Sequence, residues 1–268
     1  MLRLFPTLPR VHPSGAWVPA LWRDIIANEL AYWAQLSEVH IWPEGVFFVH
    51  ESLTSPPVNG VRDVQVAPGQ EVAFAQEARA FFAQRGRSAQ LQVNPWAASP
   101  RLREALAQAG WIRVEDIIVM VADAPPEPSP PSPHLSWHVV EASEMSQWVS
   151  VLVGSFELPA SPTFTASLCR RFRQGTTVSY LAEWDGKPAG CAQLFREAGV
   201  AGIYAVGTLP AFRRRGIASA LVGHLMREAI AHEDHVCLQV IAGSPAEQVY
   251  VRLGFQRLFA QECYYLPR

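Results

Sequence analysis

Three consecutive arginines followed by a glycine and small residues form the segment of this sequence best suited to hold a charged ligand. Arg213-Arg214-Arg215-Gly216-Ile217-Ala218 comes after a strand-like run, Val200–Thr208, and a Thr208-Leu209-Pro210 turn. It opens a stretch in which Ile217, Leu221, Leu225 and Ala229 recur at helical spacing. A helix starting there offers backbone N–H groups without intrahelical partners and the positive end of its dipole, and an anion settles on both. Phosphate is the obvious guest. Gly216 lets the backbone come close to a diphosphate, the small Ala218 leaves the next turn open, and the arginines add charge. The glycines fit neither GxGxxG nor a Walker loop, which removes the two commonest nucleotide readings.

A second segment has a helix signature of its own. In Ser244-Pro245-Ala246-Glu247 an N-cap serine is followed by proline at the first helical position and by glutamate three residues on, and Gly254 supplies a C-terminal stop. The two segments together resemble the GNAT superfamily of acyl-CoA-dependent N-acyltransferases. Arg213-x-x-Gly216-x-Ala218 is similar to the family's pyrophosphate loop, and Ala246-x-x-Val249-Tyr250-x-x-Leu253-Gly254-Phe255 is similar to its second helix and turn. The resemblance covers roughly residues 137–266. It implies a mixed, mostly antiparallel α/β sheet with a splayed central strand pair, flanked by helices, and acetyl-CoA as cosubstrate with no metal.

Residue by residue, the resemblance implies that backbone groups of Val206, Gly207 and Thr208 pair with the pantetheine arm as with an added strand. Backbone N–H groups of Arg214, Arg215, Gly216, Ile217, Ala218 and Ser219 would hold the pyrophosphate, with Arg213 completing the motif. Tyr250 matches the tyrosine that lies near the thioester sulfur and protonates the departing thiolate. The implied activity is transfer of an acetyl group to a primary amine by direct attack in a ternary complex. A non-catalytic acetyl-CoA sensor or module and a transferase of longer acyl groups remain as alternatives. Two positions depart from the family pattern: Leu238-Gln239-Val240 has no acid where some relatives carry a glutamate, and Gly243 stands where an asparagine is common. Glu183, Glu157 and His138 are the candidate proton acceptors, each read more readily as an ordinary surface or loop residue. His232 and His235, flanking Glu233-Asp234, read as a helix end rather than metal ligands.

The elements that must position these groups alternate between strand and helix. Trp137–Glu141 reads as a strand, and residues 143–156 and 161–174 as helices, the second opened by Ser161 and Pro162. Val178–Glu183 and Ala189–Arg196 form a hairpin about Asp185-Gly186. After the helix from Gly216 to about Ala231 come strand Val236–Ile241, helix Pro245–Leu253 and a final pair of strands.

Upstream, six prolines between Ala124 and Ser136 leave no room for helix or sheet and mark a spacer over residues 125–135. It separates a segment 1–124 from the segment 136–268 that carries both motifs. The first segment repeats part of the second in degraded form. Val64–Pro68 stands before a helix as Val206–Pro210 does, Leu91-Gln92-Val93 mirrors Leu238-Gln239-Val240, Ser99-Pro100 mirrors Ser244-Pro245, and Gly110-Trp111 mirrors Gly254-Phe255. Two copies of one fold are therefore expected, the first without a cofactor loop, because Glu71 and Phe74 occupy its positions. The role expected for that half is one wall of the acceptor pocket or a homodimer contact.

The chain has 268 residues, about half of them apolar, and a net charge of −2. Two globular domains fit that length, and near-neutrality argues against a general grip on nucleic acid or anionic membrane. No apolar run approaches a membrane span, no secretory h-region stands at the N-terminus, and Cys169, Cys191, Cys237 and Cys263 lack zinc-site spacing. A cytoplasmic protein with free buried thiols is expected.

Overall fold

The computed structural model describes residues 11–13, 15–54, 56–127, 132–158, 162–174, 176–232 and 235–268. Ser161, Glu233, Asp234 and the middle of the proline-rich spacer lie outside them. In chain order the elements are α1 (Ala20–Ala34), β1 (Glu38–Trp42), β2 (Gly45–Val49), β3 (Gly60–Arg62), α2 (Glu71–Ala83), β4 (Ala89–Val93), α3 (Pro100–Gln108), β5 (Ile112–Arg113) and β6 (Ile117–Ala122). They continue as β7 (Leu135–Val139), α4 (Met145–Ser155), α5 (Pro162–Gln174), β8 (Val178–Trp184), β9 (Lys187–Glu197) and β10 (Val200–Thr208). A 3-10 turn at Pro210–Phe212 leads to α6 (Ile217–Ile230), β11 (Val236–Ile241), α7 (Pro245–Arg252) and β12 (Gln256–Leu266). Contacts divide the chain into two compact units, one reaching Val119 and including Val240–Ala242 and Arg257–Arg268, the other Met120–Gln239 with Gly243–Gln256.

In the second unit β7, β8, β9 and β10 form an antiparallel meander, and β10 then pairs in parallel with β11. Asp185 and Gly186 both take positive φ, 50° and 73°, the backbone a two-residue hairpin turn demands. Under the meander α4 buries Trp148 completely, with its indole N–H donating to the Tyr180 carbonyl at 3.0 Å and its ring edge-on to Phe172. A tryptophan of that size contributes about 3 kcal/mol or more of burial energy. It fixes the helix against β8.

The first unit runs β1, β2 and β3 antiparallel, then β3 with β4 in parallel. Both units are thus the mixed, mostly antiparallel α/β arrangement expected. The last segment differs from the expectation in two ways. Residues 256–266 are one eleven-residue strand instead of two. From Arg257 onward that strand belongs to the first unit, where it pairs with β4 and β5, from Glu262 opposite Val93 to Leu266 opposite Ala89. Such pairing covers an edge of β4 that would otherwise expose unpaired N–H and carbonyl groups.

The internal repeat extends to backbone conformation. Asp63 and Ala205 are equivalent by the Val64–Pro68 correspondence, and both take the left-handed φ of 51°. The parallel pairing also recurs: Gly60 opposite Gln90 and Val61 opposite Leu91 in one unit, Ala201 opposite Val236 and Gly202 opposite Cys237 in the other. In each case two residues pair and no more.

Beside Asp63 lies a buried ionic cluster. Arg62 donates from Nε to Glu29 at 3.3 Å and stacks over Trp33 at 4.4 Å, while Gln261 donates to Glu29 at 3.3 Å and to Asn94 at 3.1 Å. Burial raises the Glu29 carboxyl above its ordinary range against the pull of Arg62. It pushes Asp63 up to about 6. The folded state therefore favours neutral Asp63, so stability that is full below about pH 4, near the unfolded pKa, is lost as pH rises through about 6. Asp63→Asn keeps an acceptor for the Gln65 amide, 2.8 Å away, and tolerates the left-handed backbone. It should raise stability at pH 8 by about 1–3 kcal/mol and change little at pH 4, in urea denaturation at both pH values.

Candidate functional site

The site begins with a strand that leaves its neighbour. β10 pairs with β9 along its length, but the register shifts between Tyr204 and Gly207, an irregularity containing the left-handed Ala205. An extra residue of this kind bends a strand and increases its twist. The carbonyl of Ala205 accepts a bond from the Cys191 thiol at 3.4 Å. Burial pushes that thiol up to about 12, so it stays protonated and structural. On the other edge, pairing with β11 ends at Gly202. Gly207 and Thr208 are held by Cys191 and Gly190 of β9, and the edge of β10 from Ile203 onward has no ladder partner in β11. Val206 lies inside the register shift.

Gly207 is required for another reason. A Cβ there would stand 2.6 Å from the Cβ of Ser155, at the end of α4. The helix can therefore lie directly on the strand. At this junction Thr208 Oγ1 is buried without a hydrogen-bond partner, and the Ser155 hydroxyl bonds the Cys191 thiol. Neither residue belongs to a motif, and only packing around Gly207 reveals them.

The start of α6 is open. Gly216 at φ 78° is the N-cap residue, no side chain caps the helix, and nothing lies within 4 Å of where a Gly216 Cβ would be. Arg214 also takes positive φ, 67°, whereas Arg215 between them does not. Such alternation turns successive N–H groups toward one concavity, an anion nest. The bond from Ala220 N–H to the Gly216 carbonyl is the first of the helix, so the N–H groups of Ile217, Ala218 and Ser219 have no helical acceptor. By contrast α3 and α7 are capped by the Ser99 and Ser244 hydroxyls.

The three arginines do different things. Arg213 donates to the Ser155 carbonyl at 3.0 Å, to the Thr208 carbonyl at 3.3 Å and to Glu157 at 3.4 Å. It braces the turn between β10 and α4, more than the sequence pattern conveys. Arg215 lies over the rings of Trp184 and Phe212, at 5.1 and 5.5 Å. Arg214 carries the strained backbone.

Tyr250 sits on α7, whose N-terminus is the expected capping box: Ser244 Oγ accepts from Glu247 N–H at 3.4 Å, and Glu247 accepts from Gly243 N–H at 2.7 Å. The Tyr250 ring is buried, edge-on to Phe255, and burial alone pushes its hydroxyl up to about 12. Leu253, one turn further on, lies 3.9 Å from a Cβ placed at Gly223 of α6, so Tyr250 is on the α6-facing side of α7.

The sequence profile of the acetyltransferase (GNAT) family matches residues 143–255, which span the bulged strand, the open helix start and Tyr250. Residues 143–255 thus resemble that family, over somewhat less than half of the chain. A search of curated proteins gives no significant match. Among solved structures, a GCN5-related N-acetyltransferase from Kribbella flavida is similar over 91% of this chain and 95% of its own, at 20% identity and TM-score 0.65. A GCN5-related N-acetyltransferase from Sphaerobacter thermophilus is similar over 92% and 91%, at 20% identity and TM-score 0.64. A tandem GNAT protein from the clavulanic acid biosynthesis pathway is similar over 82% and 77%, at 17% identity and TM-score 0.58. At these identities the likeness is one of fold.

Within the second unit the three candidate proton acceptors are far from equivalent. His138 is on β7, at the far side of the meander from β10, paired with Glu144 at 3.2 Å. Glu183 is on β8, opposite Ser136 and Pro188. Glu157 alone stands beside the splay, held by Arg213 and itself at a positive φ of 53°. Among the described residues no group of three His, Cys, Asp or Glu side chains is placed to hold a metal, and no helix is long and apolar enough to cross a membrane. All four cysteines are buried and unbridged.

The two glycines of the site carry different constraints, conformation at one and close approach at the other. Gly216→Ala should cost about 1–2 kcal/mol through its left-handed backbone, whereas Gly207→Val, forced against Ser155, should cost about 3 kcal/mol or more. Urea denaturation ranks them, and the reverse order would contradict the packing described.

Proposed function

We propose that the second unit is an acetyl-CoA-dependent N-acetyltransferase acting on a primary amine. The observation that carries this reading is the uncapped, left-handed start of α6 next to the unpaired edge of β10. The N–H groups from Arg214 to Ser219 form the seat of a diphosphate, and Val206, Gly207 and Thr208 offer strand-edge groups to an extended pantetheine arm. Acetyl-CoA supplies an activated acyl carbonyl. The amine nitrogen bonds to that carbon, the C–S bond breaks, the ammonium proton leaves, and the sulfur carries charge until it is protonated.

Tyr250 serves the sulfur. With its hydroxyl pushed up to about 12 it is protonated at every physiological pH, so it has a proton to donate to the sulfur and does not serve as the base. Complete transfer to a thiolate whose conjugate acid titrates near ~8.5 is uphill. Its contribution is therefore a hydrogen bond to developing charge, worth about 1.5–3 kcal/mol. Glu157, beside the splay, is the acceptor of the ammonium proton, directly or through water. The first unit has no equivalent seat, because Glu71 folds its own carboxylate onto the Gly69 N–H at 2.8 Å at the start of α2. We read it as the half without a cofactor loop.

Acetyl-CoA binding, followed by calorimetry, should be abolished in Gly216→Glu, which places bulk and negative charge in the nest. Unchanged affinity would remove the cofactor site from α6. In turnover against a panel of small amines and peptides, Tyr250→Phe should lower kcat about 10- to 100-fold with little change in acetyl-CoA affinity. Tight acetyl-CoA binding with no turnover of any amine would instead identify a sensor.

A further inference from the structure

The first unit contains a cavity of about 280 Å³ that the acyl-transfer reading does not use. It lies where α2 and α3 end, with the last residues of β12 and the tail beyond it as another wall. Arg79, Arg87 and Arg268 line it, and no lining residue is acidic. The Arg268 guanidinium is 3.6 Å from where a Cβ on Gly86 would stand, and that of Arg79 is 3.9 Å from the same point on Gly110. Arg87 is anchored by Nη2 on the Glu51 carbonyl at 3.2 Å, while its buried Nε has no partner. Neither Arg79 nor Arg268 meets a carboxylate side chain among the described residues.

Neutralising helix C-termini is the simpler task for arginines here, and the geometry does not support it. The final carbonyls of α2 accept from Gly86 N–H at 3.0 Å, Arg87 N–H at 3.0 Å and Arg85 Nη1 at 2.9 Å. Those of α3 accept from Gly110 N–H at 3.0 Å and Trp111 N–H at 2.9 Å. The two helix ends amount to about one negative charge. Three guanidiniums leave about two positive charges over. In a chain with 22 basic and 24 acidic side chains, overall composition does not force such a surplus into one cavity.

We propose that this cavity binds the phosphate group of a small metabolite. Guanidinium forks match phosphate oxygens, and the volume admits a phosphate with a few further atoms but not a nucleoside diphosphate. The full chain titrated with inorganic phosphate at constant ionic strength should show saturable binding in the submillimolar range. Arg79→Glu and Arg268→Glu, both at exposed positions, should weaken it at least tenfold without changing Tm in phosphate-free buffer. Gly216→Glu should leave it unchanged, which separates this cavity from the α6 nest. No saturation by about 10 mM, equal displacement by chloride, or loss in Gly216→Glu with retention in Arg79→Glu would each overturn the proposal.

Discussion

Two parallel strands that stop pairing after two residues set everything else in the second unit. A parallel ladder normally satisfies both strands along their overlap. Here β10 takes a left-handed residue at Ala205, shifts register against β9 and turns from β11 after Gly202. A non-glycine residue in that conformation costs about 1–2 kcal/mol and persists only where its surroundings hold it. The Cys191 thiol on the Ala205 carbonyl and the contact of α4 with Gly207 are what hold it. The gain is an open strand edge that leads directly into the turn before α6.

The same constraint occurs in the first unit, where Asp63 carries the identical φ and β3 leaves β4 after two pairs. What differs is the chemistry placed around it. The neighbourhood of Asp63 is filled by Arg62, Glu29, Asn94 and Gln261, with Arg62 sealed under Trp33. The helix that follows binds its own Glu71 carboxylate. The backbone irregularity thus belongs to sheet packing and recurs with different side chains around it. The α6 start keeps a glycine with open space around it, whereas the N-cap of α2 is Gln70 and Glu71 stands in the first turn, with Phe74 inside the helix and buried as core.

Local rules made much of this visible in the sequence. Val200–Thr208 and Val236–Ile241 have the bounds read from their apolar runs, α6 and α7 start within a residue of their cap signals, and the Asp185-Gly186 turn is where the dipeptide put it. The Val64–Pro68 and Val206–Pro210 correspondence marks equivalent segments before a helix, and the left-handed residues Asp63 and Ala205 each stand just ahead of them. Long-range pairing was not visible. Residues 256–266 read as strand in either unit, and alternation alone does not state which edge accepts them. The roles of Ser155, Thr208 and Glu157 were equally hidden, since each depends on what packs against Gly207 and Arg213 and none belongs to a pattern. Arg213 shows the converse, a residue legible as motif whose guanidinium is occupied with bracing.

That occupation bears on how a diphosphate would be held. Arg213 is paired with Glu157, so together they offer little net charge, and Arg215 is drawn over Trp184 and Phe212. Exposed charges interact by about 1 kcal/mol at 4 Å in water, and salt weakens even that. Backbone N–H groups fixed by Arg214 and Gly216 in left-handed conformations lose no side-chain entropy on binding and cannot turn away. Under the proposed reading, the anion affinity of this segment rests on the backbone that the arginine triplet and its glycine adopt more than on the guanidinium groups. Substituting an arginine there should weaken an anion's hold far less than changing the one residue without a side chain.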